Sequence, residues 1–131
     1  MKILWGRILI FAFTFEVLAI LLLGVVTTRL LNYPMSHLEI SCGLFIGSVL
    51  VGIWLGKKAP SNPILNGAVF GIATVVLYVA ITGTAELAGL LRLNYDFYYY
   101  LKHIVKILGG ALGGIIAMNL AKRQVANEAN C

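Results

Sequence analysis

"GSVLVGIWLGKKAPSNPILNGAVFG", residues 47–71, consists of two apolar runs joined by a short basic turn. Gly56 can end the first run, Lys57 and Lys58 stand at the negative end of its helix dipole, and Pro60 and Pro63 prevent it from continuing. Ser61 or Asn62 can then cap a second helix with Pro63 in its first turn. The stretch predicts a tight helical hairpin. A bilayer core about 30 Å thick needs roughly 20 apolar residues per helix. Four segments meet that length: 7–28, 38–56, 64–86 and 101–121.

Composition agrees. Of 131 residues, 60% are hydrophobic and 11% charged, and the mean hydropathy is +0.94, outside the soluble globular range. The expected fold is an all-α integral membrane protein: one transmembrane domain over 1–131, a compact bundle of four helices, with 122–131 as a polar cytoplasmic tail that frays beyond Lys122 and Arg123. The connections leave no room for a nucleotide-binding fold or a nucleic-acid reader, so the lipid bilayer is expected as a partner and nucleic acid is not. The first run is about twice as long as a signal-peptide core and no small-residue cleavage site follows it, so Met1 is expected to remain.

Lys2, Arg7, Lys57, Lys58, Lys122 and Arg123 fall on one side of the four spans, and Arg29, Arg92, Lys102 and Lys106 on the other, where Glu39, Glu86 and Asp96 accompany them. The positive-inside rule then places both termini in the cytoplasm of a bacterial inner membrane. Cys42 and Cys131 lie on opposite sides of the bilayer, so both are expected as free thiols.

The first loop, "RLLNYPMSH" (29–37), has Pro34 to stop one helix and Ser36 to cap the next. The third link, "AELAGLLRLNYDFYYYLKH" (85–103), mixes Leu with Tyr95, Tyr98, Tyr99 and Tyr100, residues suited to the headgroup layer. A short interfacial helix is expected there.

Of fourteen glycines, ten form i, i+4 pairs within spans: Gly43 with Gly47, Gly52 with Gly56, Gly67 with Gly71, Gly109 with Gly113, and Gly110 with Gly114. Such pairs clear one helix face for a close neighbouring backbone. That neighbour is another helix of the same chain, a second copy, or a partner membrane protein. The sequences "GKKA" (56–59), "NGAVFG" (66–71, with Tyr78 further along) and "LGGALGGIIAMNL" (108–120) are similar to those of a family of small four-span bacterial membrane proteins of unassigned function. The resemblance covers roughly residues 43–121 and implies the same topology.

Glu16 lies in "FTFEVLAI" (13–20), about 12 Å to 14 Å inside the membrane at 1.5 Å per residue. Burying a charge there costs about 2.5 to 3.5 kcal/mol on insertion scales, so a carboxylate must find a partner or stay protonated, and Glu16 is expected to be mostly neutral at neutral pH. Its helix face carries Ala12, Ala19, Leu23 and Gly24, which turn it into the bundle. The same depth count brings Gly47, Ser48, Gly71, Thr74 and Gly113 to its level and leaves Lys106 about 10 Å nearer the other face, out of easy reach. A four-span chain with a lone mid-helix Glu, together with "FEVLA" (15–19) and "NLAKR" (119–123), also resembles the small multidrug resistance transporters, although its third link is longer. That resemblance implies exchange of protons for cationic drugs at Glu16.

His37 and His103 near one interface lack a third spaced ligand, so no metal or cofactor is expected. No nucleophile and base, paired carboxylates or phosphate-cradling loop is evident, so no catalytic residue is assigned and the chain is expected not to be an enzyme. The expected function is glycine-mediated packing with itself or a partner membrane protein. The alternative is a small proton-coupled transporter of cationic or hydrophobic substrates that uses Glu16, Ser48 and Thr74.

Overall fold

The computed structural model describes residues 3–33, 35–59 and 61–129. Met1, Lys2, Pro34, Pro60 and Cys131, named above for their charge, helix-stopping, thiol or processing roles, lie outside the described residues. Within a bilayer every backbone group must find its partner inside the protein, so apolar runs of this length fold as helices. Four helices follow in order: α1 (Trp5–Ala19, continuing as a π-helical segment, Ile20–Leu30), α2 (His37–Lys58), α3 (Pro63–Leu87) and α4 (Phe97–Ala129). All four are long and apolar enough to cross a membrane, and among the described residues there is no strand. The chain is a multi-pass all-α membrane protein.

Local chemistry sets the helix ends. Ser36 caps α2 in a capping box, its hydroxyl accepting from the Glu39 amide and the Glu39 carboxylate accepting from the Ser36 amide. At α3, Pro63 occupies the first turn, but the Asn62 side chain makes no cap. Instead the Asn62 carbonyl accepts from Asn66 Nδ2 at 2.8 Å. Asn66 Oδ1 in turn accepts from the Leu4 amide at 2.9 Å and ties the start of α1 to the start of α3. After Ala19 the first helix widens to i→i+5 bonding, as in the 3.0 Å bond from the Leu31 amide to the Val26 carbonyl.

Helix α4 packs along both α2 and α3, whereas α1 lies mainly against α3. Glycines permit this. A Cβ built on Gly67 or on Gly52 would land on the Gly110 carbonyl, one on Gly113 would meet the Val49 carbonyl, and one on Gly114 would meet Pro63. Gly56 faces Ala117 and Gly114, Gly71 faces Lys106 and Ile107, and Gly109 faces Phe45 and Ser48. Gly47 meets only the Phe15 ring, and Gly43 makes ordinary contact with Leu23. On α1, Ile8, Ala12 and Glu16 recur every fourth residue and face inward. Ile8 and Ala12 join Leu55 and Phe70 in a small apolar core. Leu9, Phe13, Leu50, Ile72, Val76 and Leu108 are exposed on the outside, an apolar surface suited to lipid tails.

Two expectations are corrected. The separate interfacial helix does not form among the described residues; Tyr98, Tyr99 and Tyr100 belong to the first turns of α4. Helix α3 ends in a Schellman motif at Gly89 (φ 72°), with Gly89 bonded to Glu86 and Leu90 to Ala85. Asp96 Oδ1 accepts from the Tyr99 amide at 2.9 Å where α4 begins. Glu86 then holds the few residues between, accepting from Tyr95 Oη at 2.5 Å and from the Leu93 amide at 3.2 Å. The frayed tail is also replaced by helix as far as Ala129, because residues 115–129 contain no Gly or Pro and are rich in strong helix formers.

Gly67→Ala should cost about 1–3 kcal/mol through overpacking. Gly83→Ala, where a Cβ meets nothing within 4 Å, should stabilise by about 0.5–1 kcal/mol; thermal denaturation of both variants in detergent reads the contrast. The hydrogen bond to Glu86 pushes the Tyr95 hydroxyl up to about 12. The link should therefore hold as pH rises past the ordinary tyrosine value and release as pH passes about 12. The tyrosinate absorbance difference between wild type and Tyr95→Phe should show this titration, and Glu86→Gln should return it towards 10.0.

Candidate functional site

The most deeply buried charges belong to two different helices. Glu16 of α1 and Lys106 of α4 pair at 2.6 Å between Oε1 and Nζ, each 1% exposed. Lys106 Nζ also stands 4.6 Å from the centre of the Tyr78 ring of α3, a cation–π contact on the ammonium's second side. His103, one turn before Lys106, meets Tyr78 edge-on at 5.2 Å and Tyr99 at 4.7 Å. Both His103 ring nitrogens are buried and have no hydrogen-bond partner among the described residues. Next to it, Lys102 Nζ lies 3.4 Å from His37 Nδ1, and His37 stacks on Tyr98 at 4.9 Å.

Five of these groups line a cavity of about 220 Å³. Glu16, Tyr78, Lys102, His103 and Lys106 supply its polar wall; Ala19, Ile20 and Leu23 of the first span and Ile40 and Leu44 of α2 supply the apolar one. The π-helical widening begins at Ile20, on this wall. A larger cavity of about 650 Å³ lies at the far end of α4, bordered by Lys57 and Lys122. It has no contact with the ion pair.

The depth expectation for Lys106 is thus corrected. Gly71, counted to the level of Glu16, packs on Lys106 and Ile107 and not on Gly113. Helix α4 therefore sits six residues further along, about 9 Å at 1.5 Å per residue, which closes the expected gap. Ser48 and Thr74 do not join Glu16. Thr74 donates to the Gly71 carbonyl at 2.7 Å, and Ser48, whose Cβ faces Gly109, has a buried Oγ with no partner among the described residues. Sequence reasoning passed over Tyr78, Lys102, His103 and Lys106 as a set. The available signal was the placement of Lys102 and His103 four and three residues before Lys106, which puts both beside it on α4.

Removing one partner strands a buried charge, so Glu16→Ala and Lys106→Ala should each destabilise by about 3–5 kcal/mol. Glu16→Leu combined with Lys106→Met should recover most of that loss, because an apolar pair of similar volume serves packing equally well. A double-mutant cycle on thermal unfolding in detergent measures the coupling.

Comparison with known proteins bears on the chemistry. No family model matches the chain, and no solved structure matches it. Over 86 residues, 66% of this chain, the sequence is 34% identical to the protoheme IX farnesyltransferase of Bartonella bacilliformis. The chain covers 26% of that protein, so it spans about a quarter of the relative's length. The expectation that the chain is not an enzyme is corrected by this likeness, since the protein it resembles is an enzyme by name.

Proposed function

We propose that the chain is a small proton-coupled transporter of the bacterial cytoplasmic membrane, with both termini cytoplasmic and the Glu16–Lys106 pair as its coupling site. The observation that carries this reading is the position of the pair, buried at the level of the bundle core yet forming the wall of a cavity. A buried ion pair contributes little net stability that apolar residues could not supply. Intramembrane ionisable groups on a cavity are the usual parts of proton relays and substrate paths. The groups that face Glu16 across the cavity are Lys106, Lys102 and His103 from α4 and Tyr78 from α3, while α2 contributes only Ile40 and Leu44. A proton on Glu16 removes the counter-charge of Lys106 and frees its ammonium to engage a substrate. The orientation rests on Lys57, Lys58, Lys122 and Arg123, which gather at one end of the bundle. Packing on a partner protein is the weaker reading, because the closely packed glycines of α2, α3 and α4 are already filled by this chain's own backbone.

In proteoliposomes with an imposed pH gradient, a panel of small amphiphiles should include one whose addition dissipates the gradient. Glu16→Gln should abolish that flux, and so should Glu16→Leu combined with Lys106→Met, the pair that keeps the packing. Undiminished flux in Glu16→Gln would remove the pair from the mechanism. The likeness to a farnesyltransferase favours a second reading, in which the chain takes part in transfer of a prenyl group within the membrane. Farnesyl transfer to protoheme IX by membranes holding the protein, lost in Lys106→Met, would decide for it.

A further inference from the structure

We infer that the cavity at the Glu16–Lys106 pair takes a small amphiphilic anion, its head held by Lys102 and His103 and its short apolar body lying against Ile20, Leu23, Ile40 and Leu44. The inference rests on the transporter reading above and names its substrate class. Charge comes first. The acidic and basic side chains on the wall are one carboxyl group, Glu16, and two lysines, Lys102 and Lys106. With His103 neutral, the lining carries one positive charge more than it balances. A cationic ligand would have to displace Lys106 from a 2.6 Å ion pair and then sit beside Lys102. An anion meets neither obstacle.

Hydrogen bonding points the same way. Both His103 ring nitrogens are buried and unpartnered among the described residues, although buried polar atoms are nearly always satisfied. The ring lines the cavity, where an oxyanion would accept its N–H. Among the described residues Lys102 Nζ approaches His37 Nδ1, at 3.4 Å, and its ammonium has three donors to use. The volume limits the body. About 220 Å³ corresponds to roughly seven water volumes at about 30 Å³ each, room for a carboxylate and a few carbons. Proton and anion then enter together. A proton on Glu16 releases Lys106 to become the third donor to the bound carboxylate, so the cavity gains one positive and one negative charge and the transfer is electroneutral.

The test uses hexanoate and its size-matched cation, hexylammonium, with the full-length protein in phosphatidylcholine vesicles. Hexanoate should bind and hexylammonium should not. Lys102→Gln and His103→Ala should each weaken hexanoate binding about tenfold or more, the loss of one charge-assisted hydrogen bond. Glu16→Gln should bind hexanoate at least as well as wild type and without pH dependence. Equal binding of the cation, or hexanoate binding indifferent to both Lys102→Gln and His103→Ala, would overturn the inference. A lipid headgroup could supply the same anionic chemistry. Competition by added phosphatidylglycerol, lost in the Lys102 and His103 variants, would assign the site to lipid; its absence with hexanoate still bound would assign it to the free acid, and both results support an anion site. Flux of some other panel compound that needs Glu16, with hexanoate inert, would defeat this inference and leave the transporter reading standing. Hexanoate binding without pH-driven uptake would do the reverse.

Discussion

The carbonyl of Gly110 occupies the space that a side chain at Gly67 or at Gly52 would need. Within a bilayer, helices gain nothing by hiding apolar surface from one another, because lipid tails are equally apolar. What remains is close contact, and glycine is the residue that permits it. Gly110, Gly113 and Gly114 let α4 approach α2 and α3 backbone to backbone, and α1, which lies mainly on α3, completes the bundle. The register of α4 is therefore set by main-chain steric fit, with little freedom to slide.

That register decides where the charges meet. Gly71 admits the backbone of α4 at Lys106 and Ile107, which brings the lysine stem to the level of Glu16. The two ions then satisfy each other at 2.6 Å, and the Tyr78 ring covers the ammonium from a second side. Neither charge would survive alone at this depth, since an uncompensated buried ion costs several kcal/mol. The glycines and the ion pair thus form one device. The small residues fix the register, and the register gives each charge its partner.

Much of the fold was legible because the bilayer constrains the reading so tightly. The number of spans, the cap at Ser36 and the hairpin at Lys57 and Lys58 each follow from local chemistry with few competing solutions. The interfacial helix was misread because a Schellman turn at Gly89 and an aspartate cap at Asp96 use up the residues it would need, while Glu86 holds Tyr95 from outside the link. The site failed for a different reason. Depth counts assign each residue a level by assuming where its helix begins, and α4 begins at Phe97, earlier than the apolar run suggested. Offset between helices is a tertiary quantity, set by which glycine seats which backbone, and no local pattern encodes it.

A lone carboxylate in a membrane helix suggests cation exchange, and by itself Glu16 would favour that chemistry. The charge balance around it argues otherwise. Lys106 neutralises Glu16, Lys102 adds a further positive charge at the same cavity, and His103 offers nitrogens that nothing in the described chain engages. The sign of the site therefore comes from α4 and not from the residue that first drew attention to α1. In the proposed mechanism Glu16 is a proton-sensitive restraint on Lys106: ionised, it occupies the ammonium, and protonated, it would release the ammonium to an anion in the cavity. The widening of the first helix begins at Ile20, four residues beyond Glu16 in the same cavity lining, at the kind of irregular backbone that functional sites in helices often carry.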